Sequence, residues 1–247
     1  MGSNYRLDYN VDIVMCMDAT GSMGSLLDTV KNNALKFYDD LMTRMAAKGK
    51  PVNELRVRVI AYRDYLADGD HAMLATDFFS LPEDAKDFEE LVRGIKPMGG
   101  GDDPEDGLEA LAYAIKSKWT TADHARHVIV VWTDDGTHPL GFGANPENGR
   151  YLEKRKVSFE KIQENAAKYP SKMAKDFAEL SDWWGDKMQP GLMNQDAKRL
   201  LLYAPEVKHW NAIYDQWDQV LHFPSEAGKG LKELEYSEIL ETIANSI

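Results

Sequence analysis

Residues 11–22, VDIVMCMDATGS, decide the fold of this chain. Residues 11–18 form a nearly continuous apolar run with acidic ends, which is the pattern of a strand buried on both faces of a sheet. The run leads into Asp18-Ala19-Thr20-Gly21-Ser22, which fits D-x-[ST]-x-S and precedes a segment of helical periodicity. A carboxylate and two hydroxyls on a tight turn at the end of a strand can supply half of a divalent-cation site.

The composition restricts the class of protein. The chain has 247 residues, 43% of them hydrophobic and 28% charged, which suits one large domain or two small ones. The formal net charge of −12 argues against binding to nucleic acids or to anionic membranes, because both rely on Lys and Arg. Cys16 is the one cysteine, so no intrachain disulfide can form, and its apolar neighbours predict a buried side chain.

Two further features bear on the location of the protein. No apolar stretch approaches the roughly 18 residues that a transmembrane helix needs. Residues 1–5 lack the apolar core of a signal peptide. We therefore expect a cytoplasmic protein.

Strand and helix patterns alternate to the end of the chain. Strands are predicted at 11–18, 55–62, 73–81, 127–132, 199–203 and 220–223, and helices at 25–48, 84–95, 108–119, 157–188, 206–217 and 236–247. The short gap before 73–81 indicates an antiparallel edge strand. We expect a Rossmann-like, doubly wound α/β domain over 1–247, with a mainly parallel sheet, helices on both faces and an elaborated helical insertion at about 140–195.

Three loops rich in acids and hydroxyls follow predicted strands or precede a helix. They are Asp18/Thr20/Ser22, Asp102-Asp103-Pro104-Glu105 and Thr133-Asp134-Asp135-Gly136. In open α/β sheets, ligands bind outside the carboxyl ends of the strands, so we expect these loops to meet there. Hard oxygen ligands of this kind suit Mg²⁺, with Mn²⁺ or Ca²⁺ as alternatives.

The same motifs resemble a known family. D-x-T-x-S at 18–22, GGGDDPEDG at 99–107 and VVWTDDGTH at 130–138 resemble a von Willebrand factor A (vWA) domain with its metal-ion-dependent adhesion site. The resemblance covers the whole chain in element order. The D-x-P-E loop is most similar to integrin β-subunit I-like domains and to stand-alone microbial vWA proteins.

The resemblance implies a ligand set. Thr20 and Ser22 would bind the metal through their hydroxyls, and Asp18 would bind it directly or through water. Glu105 would supply the carboxylate of the second loop, with Asp102 as the alternative at this position. Asp134 would bind through water.

The integrin-like pattern also implies a neighbouring cation site, built from Asp64, Asp102 and Glu105. For Asp64, an equally good reading is that it accepts backbone hydrogen bonds in the turn after its strand. Ser25-Leu26 stands where the integrin-type pattern has adjacent aspartates, which removes a second flanking site.

These residues predict a non-enzymatic protein-binding module whose metal captures an Asp or Glu of a protein partner. One alternative is a Mg²⁺-dependent hydrolase, since a metal beside several acids can activate water. No general base stands out in the sequence, and neither a P-loop nor a G-x-G-x-x-G turn is present, so we expect no nucleotide ligand. The other alternative is a scaffold subunit in which the metal ties the three loops together.

Overall fold

The computed structural model describes residues 8–68, 71–99, 104–140 and 174–247. The strands are β1 (Tyr9–Asp18), β2 (Val52–Tyr62), β3 (Met73–Ala75), β4 (Phe79–Leu81), β5 (Ala125–Trp132), β6 (Lys198–Ala204) and β7 (Val220–Pro224). The helices are α1 (Gly24–Asn33), α2 (Phe37–Ala47), α3 (Tyr65–Asp68), α4 (Ala85–Gly94), α5 (Gly107–Ile115), α6 (Phe177–Trp184), α7 (Lys208–Gln216) and α8 (Tyr236–Ser246).

The strands form one sheet in the order β3-β2-β1-β5-β6-β7, and β4 also pairs with β2. β2, β1, β5, β6 and β7 are parallel to one another, whereas β3 and β4 run antiparallel to β2. The chain winds outward from β1 to β2 and then crosses back to β5. The topological switch point, where such sheets bind ligands, therefore lies between β1 and β5.

Helices cover both faces of the sheet, because β1 presents apolar side chains to both. Ile13 and Met15 face a core formed with α1, α2, α4 and α8, whereas Val14 and Cys16 face α5, α6 and α7. Burial of one such side chain contributes roughly 1.5–3 kcal/mol, which is why this strand is apolar at almost every position. The predicted doubly wound, mainly parallel α/β class is confirmed.

Some element boundaries differ from the sequence predictions. The helix expected at 25–48 is divided by a 3₁₀ turn, Ala34–Lys36, and the edge strand expected at 73–81 consists of β3 and β4. The helix expected to reach residue 188 ends at Gly185, whose φ of +63° favours glycine. Asp186 then accepts the N–H groups of Met188 and Gln189 in a turn.

Other predictions fall on residues 141–173, which lie outside the described residues. They include the first part of the helical segment 157–188 and most of the insertion at 140–195. The single domain over 1–247 and the cytoplasmic location also stay predictions. None of the described helices combines the length and the apolar character that a membrane span requires.

A buried polar row crosses the sheet at the amino ends of the strands. Arg56, Asp12, His127 and Lys198 are neighbours in register on β2, β1, β5 and β6. Asp12 forms two hydrogen bonds of 2.7 Å with Arg56 and accepts the Thr120 N–H at 2.6 Å. These partners satisfy the buried carboxylate of Asp12, so the acid at the start of the apolar run has a structural role.

We predict that the thiol of Cys16 is unreactive in the folded protein. The side chain is fully buried and its Sγ lies 3.8 Å from the Ala110 carbonyl oxygen, and burial raises the pKa of the thiol far above its usual range. Iodoacetamide labelling followed by mass spectrometry should show modification only after unfolding in urea. Ser25→Cys, at an exposed position, is the positive control and should label in the native state. Native labelling of Cys16 at a similar rate would contradict this packing.

Candidate metal site

The loop after β1 folds around the carboxylate of Asp18. The Thr20 N–H and Oγ1 both donate to Asp18 Oδ1, at 2.9 and 2.6 Å. Thr133, which follows β5, donates its hydroxyl to Asp18 Oδ2 at 2.8 Å. Ser22 Oγ lies 3.3 Å from Thr20 Oγ1 and donates to Asp134 Oδ1 at 2.9 Å. The loops after β1 and β5 are thus joined across the switch point by one hydrogen-bonded set of oxygens.

Successive oxygens of this set are hydrogen-bonded and lie about as close together as neighbouring ligands of a small divalent cation do. Successive oxygens along the set Asp18, Thr20, Ser22 and Asp134 are 2.6, 3.3 and 2.9 Å apart. Neighbouring ligands of an octahedral Mg²⁺ lie about 3 Å apart, because each Mg–O bond is about 2.1 Å long. In the described ranges, no group of three or more His, Cys, Asp or Glu side chains is arranged to hold a metal ion. A cation here would therefore depend on the Thr20 and Ser22 hydroxyls as well as on the acids.

Glu105 is held beside this set by a short bridge between two loops. Its N–H donates to the Gly136 carbonyl at 3.4 Å, its carbonyl accepts the His138 N–H at 2.8 Å, and it pairs in parallel with Thr137. The side chain is buried, and its Oε2 has no hydrogen-bond partner among the described residues. An unpaired buried carboxylate oxygen is costly unless a cation or a donor satisfies it.

The two buried acids carry perturbed pKa values. Burial, together with the negative charge of Asp18, raises the pKa of Glu105 to about 9. Burial raises the pKa of Asp18 to about 6, against the opposing effect of its hydrogen bonds from Thr20 and Thr133. Both shifts disfavour the ionised carboxylate, and a bound cation would act in the opposite direction.

The Arg63 guanidinium, which follows β2, was not singled out by the sequence pattern. Its Nε donates to the Ala19 and Met98 carbonyls, both at 2.9 Å, while its terminal nitrogens donate to the His71 carbonyl at 2.7 Å and to the Lys96 carbonyl at 2.6 Å. Arg63 therefore ties the loop after β1 to two other segments. In the sequence, Arg63 is a basic residue directly after an apolar strand, and this pattern does not predict which groups its side chain contacts.

A glycine-containing loop after β7 completes the surroundings of Asp134. The Gly228 N–H donates to the Asp134 carbonyl at 2.9 Å, and the Gly230 N–H donates to Asp134 Oδ2 at 2.7 Å. A Cβ on Gly230, whose φ is +71°, would lie 2.1 Å from the Ser22 carbonyl oxygen. Only glycine fits between the Asp134 and Ser22 loops at this point.

The neighbouring acids have other contacts. Asp64 accepts the Ala67 N–H at 3.4 Å in its own turn, and its Oδ2 lies 3.3 Å from His138 Nε2. Asp106 accepts the Tyr65 N–H at 2.7 Å and thereby braces the start of α5. Asp102 lies outside the described residues. The choice between Asp102 and Glu105 as the ligand from the second loop therefore stays a prediction, and so does the neighbouring cation site.

The comparisons with known proteins show only distant likenesses. No family model matches the chain, and no curated protein matches it in sequence. The vWF domain of the type V pili tip protein Mfa5 from Porphyromonas gingivalis is 19% identical with a TM-score of 0.38, and the match covers 57% of this chain and 44% of that chain. The pilus adhesin SpaC from Lactobacillus rhamnosus GG is 10% identical with a TM-score of 0.48, and the match covers 97% of this chain and 30% of that chain.

A third solved structure is proximal thread matrix protein 1 from the mussel byssus. It is 9% identical with a TM-score of 0.40, and the match covers 97% of this chain and 48% of that chain. The chain thus spans less than half the length of each of these three proteins. At such identities and TM-scores, the likenesses carry no argument about function.

We predict that Arg63→Lys destabilises the loops around the candidate site. A lysine cannot satisfy four carbonyl groups in the fixed directions of a guanidinium, so several hydrogen bonds of this buried side chain are lost. The free energy of unfolding in urea should fall by about 3 kcal/mol. Arg93→Lys, at an exposed residue that pairs with Glu89, is the matched control and should change it by less than about 0.5 kcal/mol. Equal effects of the two substitutions would contradict the role of Arg63.

Proposed function

We propose that the chain is a divalent-cation-dependent protein–protein interaction module, a vWA domain with a metal-ion-dependent adhesion site. Asp18, Thr20, Ser22, Glu105 and Asp134 would hold the cation, and an Asp or Glu of a protein partner would complete its shell. The observation that carries the proposal is the continuous set of oxygens from Asp18 to Asp134 at the switch point. The buried, unpaired Oε2 of Glu105 beside it supports the same conclusion.

The donor set favours Mg²⁺, with Mn²⁺ or Ca²⁺ as alternatives, because all of its members are hard oxygens. When bound, the metal supplies a Lewis-acid centre that can accept a carboxylate. The neutral hydroxyls of Thr20 and Ser22 donate less charge than carboxylates would, which leaves the cation electrophilic. The carboxylates of Asp18 and Glu105 offset the unfavourable field of the α1 N-terminus.

The exposure of the residues indicates the side from which a partner would approach. Asp18, Thr20 and Glu105 are buried, whereas Ser22 is exposed. A partner carboxylate would therefore reach the cation beside Ser22. This exposed side supports an interaction site, whereas in the scaffold alternative the metal would serve only to join the loops.

We predict that Mg²⁺ binds and stabilises the protein through Ser22. Titration calorimetry of metal-free protein should give a single Mg²⁺ site, and Mg²⁺ at a hundred times its Kd should stabilise the fold by about 2.7 kcal/mol. Ser22→Ala removes a ligand from an exposed position and should weaken Mg²⁺ binding at least tenfold. Ser25→Ala, also exposed and three residues away, should bind as the wild type does. A lack of Mg²⁺ binding, or equal binding by both variants, would contradict the metal site.

We predict that partner capture depends on both the metal and Ser22. Wild-type protein should retain a partner from a lysate of its host in Mg²⁺ and release it in EDTA, whereas Ser22→Ala should retain none in either condition. Ser25→Ala is again the control. Normal capture by a Ser22→Ala protein that no longer binds Mg²⁺ would exclude capture through the metal. Hydrolysis of a phosphate ester or a peptide that requires Asp134 would favour the hydrolase.

A further inference from the structure

β7 is an edge strand whose outer backbone groups have no strand beside them among the described residues. It pairs in parallel with β6 on one side. The Leu200 N–H donates to the Gln219 carbonyl and the Ser225 N–H donates to the Ala204 carbonyl. These two bonds show which residues of β7 direct their backbone groups toward β6. The backbone groups of Leu221 and Phe223 therefore face β6, whereas those of Val220 and His222 face outward. Such an edge is a template for another extended chain.

The face of β7 toward α8 is also incompletely covered. Leu221 is in register with Leu201, a residue of the core beneath α8, so the two side chains lie on the same face of the sheet. Leu221 is nevertheless 51% exposed, because the helix packs on β6 and on α1 and α2. An exposed leucine on an edge strand is an apolar contact that the described fold leaves unused.

A groove of about 440 Å³ lies between β7 and α8, and its lining includes Phe223, which follows Leu221 by two residues on the same face of β7. Its apolar surface comes from Phe223 and Tyr203, whose rings stack with centroids 4.6 Å apart, and from Leu231 and Leu234. This volume is in the range of ordinary ligand pockets. The groove can therefore accept a large apolar side chain from a strand added to β7.

The charges around the groove are acidic. The described residues that line it include Glu233, Glu238 and Glu241 but no Lys or Arg. Glu241 is paired with Arg44 and Lys48, which lie on α2 and directly after it, at 2.9 and 2.6 Å. Glu233 and Glu238 are exposed. On a chain of net charge −12, these two carboxylates favour a cationic group over an anionic one.

We propose that β7 and the groove bind an extended segment of a protein partner by strand addition. The segment carries an apolar residue and a Lys or Arg two positions apart, so that both side chains face α8. The segment crosses the exposed Leu221, its apolar residue enters the groove against Phe223, and the cation lies against Glu233 and Glu238. Backbone hydrogen bonds to Val220 and His222 supply the remaining affinity. This site shares the loop after β7 with the surroundings of Asp134, but none of the residues that contact the segment is a candidate metal ligand.

The test uses the full chain in EDTA, so that the outcome is independent of the metal. The probe is a fluorescent peptide of sequence Thr-Leu-Thr-Lys-Thr-Leu-Thr-Lys, and binding is measured by anisotropy. We expect it to bind at least tenfold more tightly than the same peptide with Glu in place of Lys. Leu221→Gln should weaken binding at least tenfold, whereas Leu192→Gln, at another exposed leucine, should not. Equal binding of the two peptides, or equal effects of the two variants, would overturn the proposal.

Two further measurements test the charge and the pairing. Glu233→Gln with Glu238→Gln should weaken binding at least fivefold, while Glu83→Gln with Glu90→Gln changes the net charge equally and should have little effect. Two further peptides are N-methylated, one on the Thr amides and the other on the Leu and Lys amides. Only one of them should lose binding, because alternate amides of an added strand face β7. Equal effects of the two methylation patterns would exclude strand addition. Dimerisation of the chain that Leu221→Gln abolishes would assign the surface to a second copy and overturn the peptide proposal.

Discussion

The buried carboxylate of Asp18 is the group on which the arrangement of the loops around the switch point depends. It ends the central strand with no exposed surface, where a charge without partners would be strongly unfavourable. Its two oxygens receive hydrogen bonds from the loop after β1 and from Thr133 after β5. The two loops must therefore adopt conformations that direct hydroxyls toward one point. An arrangement that satisfies one acid thus also brings together the oxygens of the proposed cation site.

The remaining loops are held by hydrogen bonds between side chains and main-chain groups. Arg63 satisfies carbonyls from several segments at once, and the Gly230 N–H fixes the second carboxylate oxygen of Asp134. Both contacts satisfy main-chain groups with hydrogen bonds. The carboxylate of Glu105 differs, because its Oε2 is left without a partner among the described residues. Glu105 therefore has a carboxylate oxygen that still needs a donor or a cation, whereas Arg63 and Asp134 have hydrogen-bond partners within the fold.

The two proposed binding surfaces arise from different physical causes. At the switch point, parallel strands bring their carboxyl ends together, which concentrates acids and hydroxyls in a small volume. At β7, the sheet extends beyond the helix that covers its neighbour, which leaves backbone groups and Leu221 exposed. The first surface suits a compact charged group, and the second suits an extended chain. The loop after β7 contributes to both surfaces, because Gly230 contacts Asp134 and Leu231 lines the groove.

The sequence by itself determined the order of strands and helices and the positions of the acidic loops. Apolar runs such as 11–18 and 127–132 are local patterns, and the spacing D-x-T-x-S was enough to single out Asp18, Thr20 and Ser22. The tertiary structure alone showed the contacts of Arg63 and the close approach of Gly230 to Ser22. It also showed the exposure of Leu221 and the early end of α6 at Gly185. The contacts of Arg63 and Gly230 and the exposure of Leu221 depend on residues that are distant in the chain, so no local periodicity or spacing could have revealed them, whereas the helix end at Gly185 has a local cause in the glycine itself.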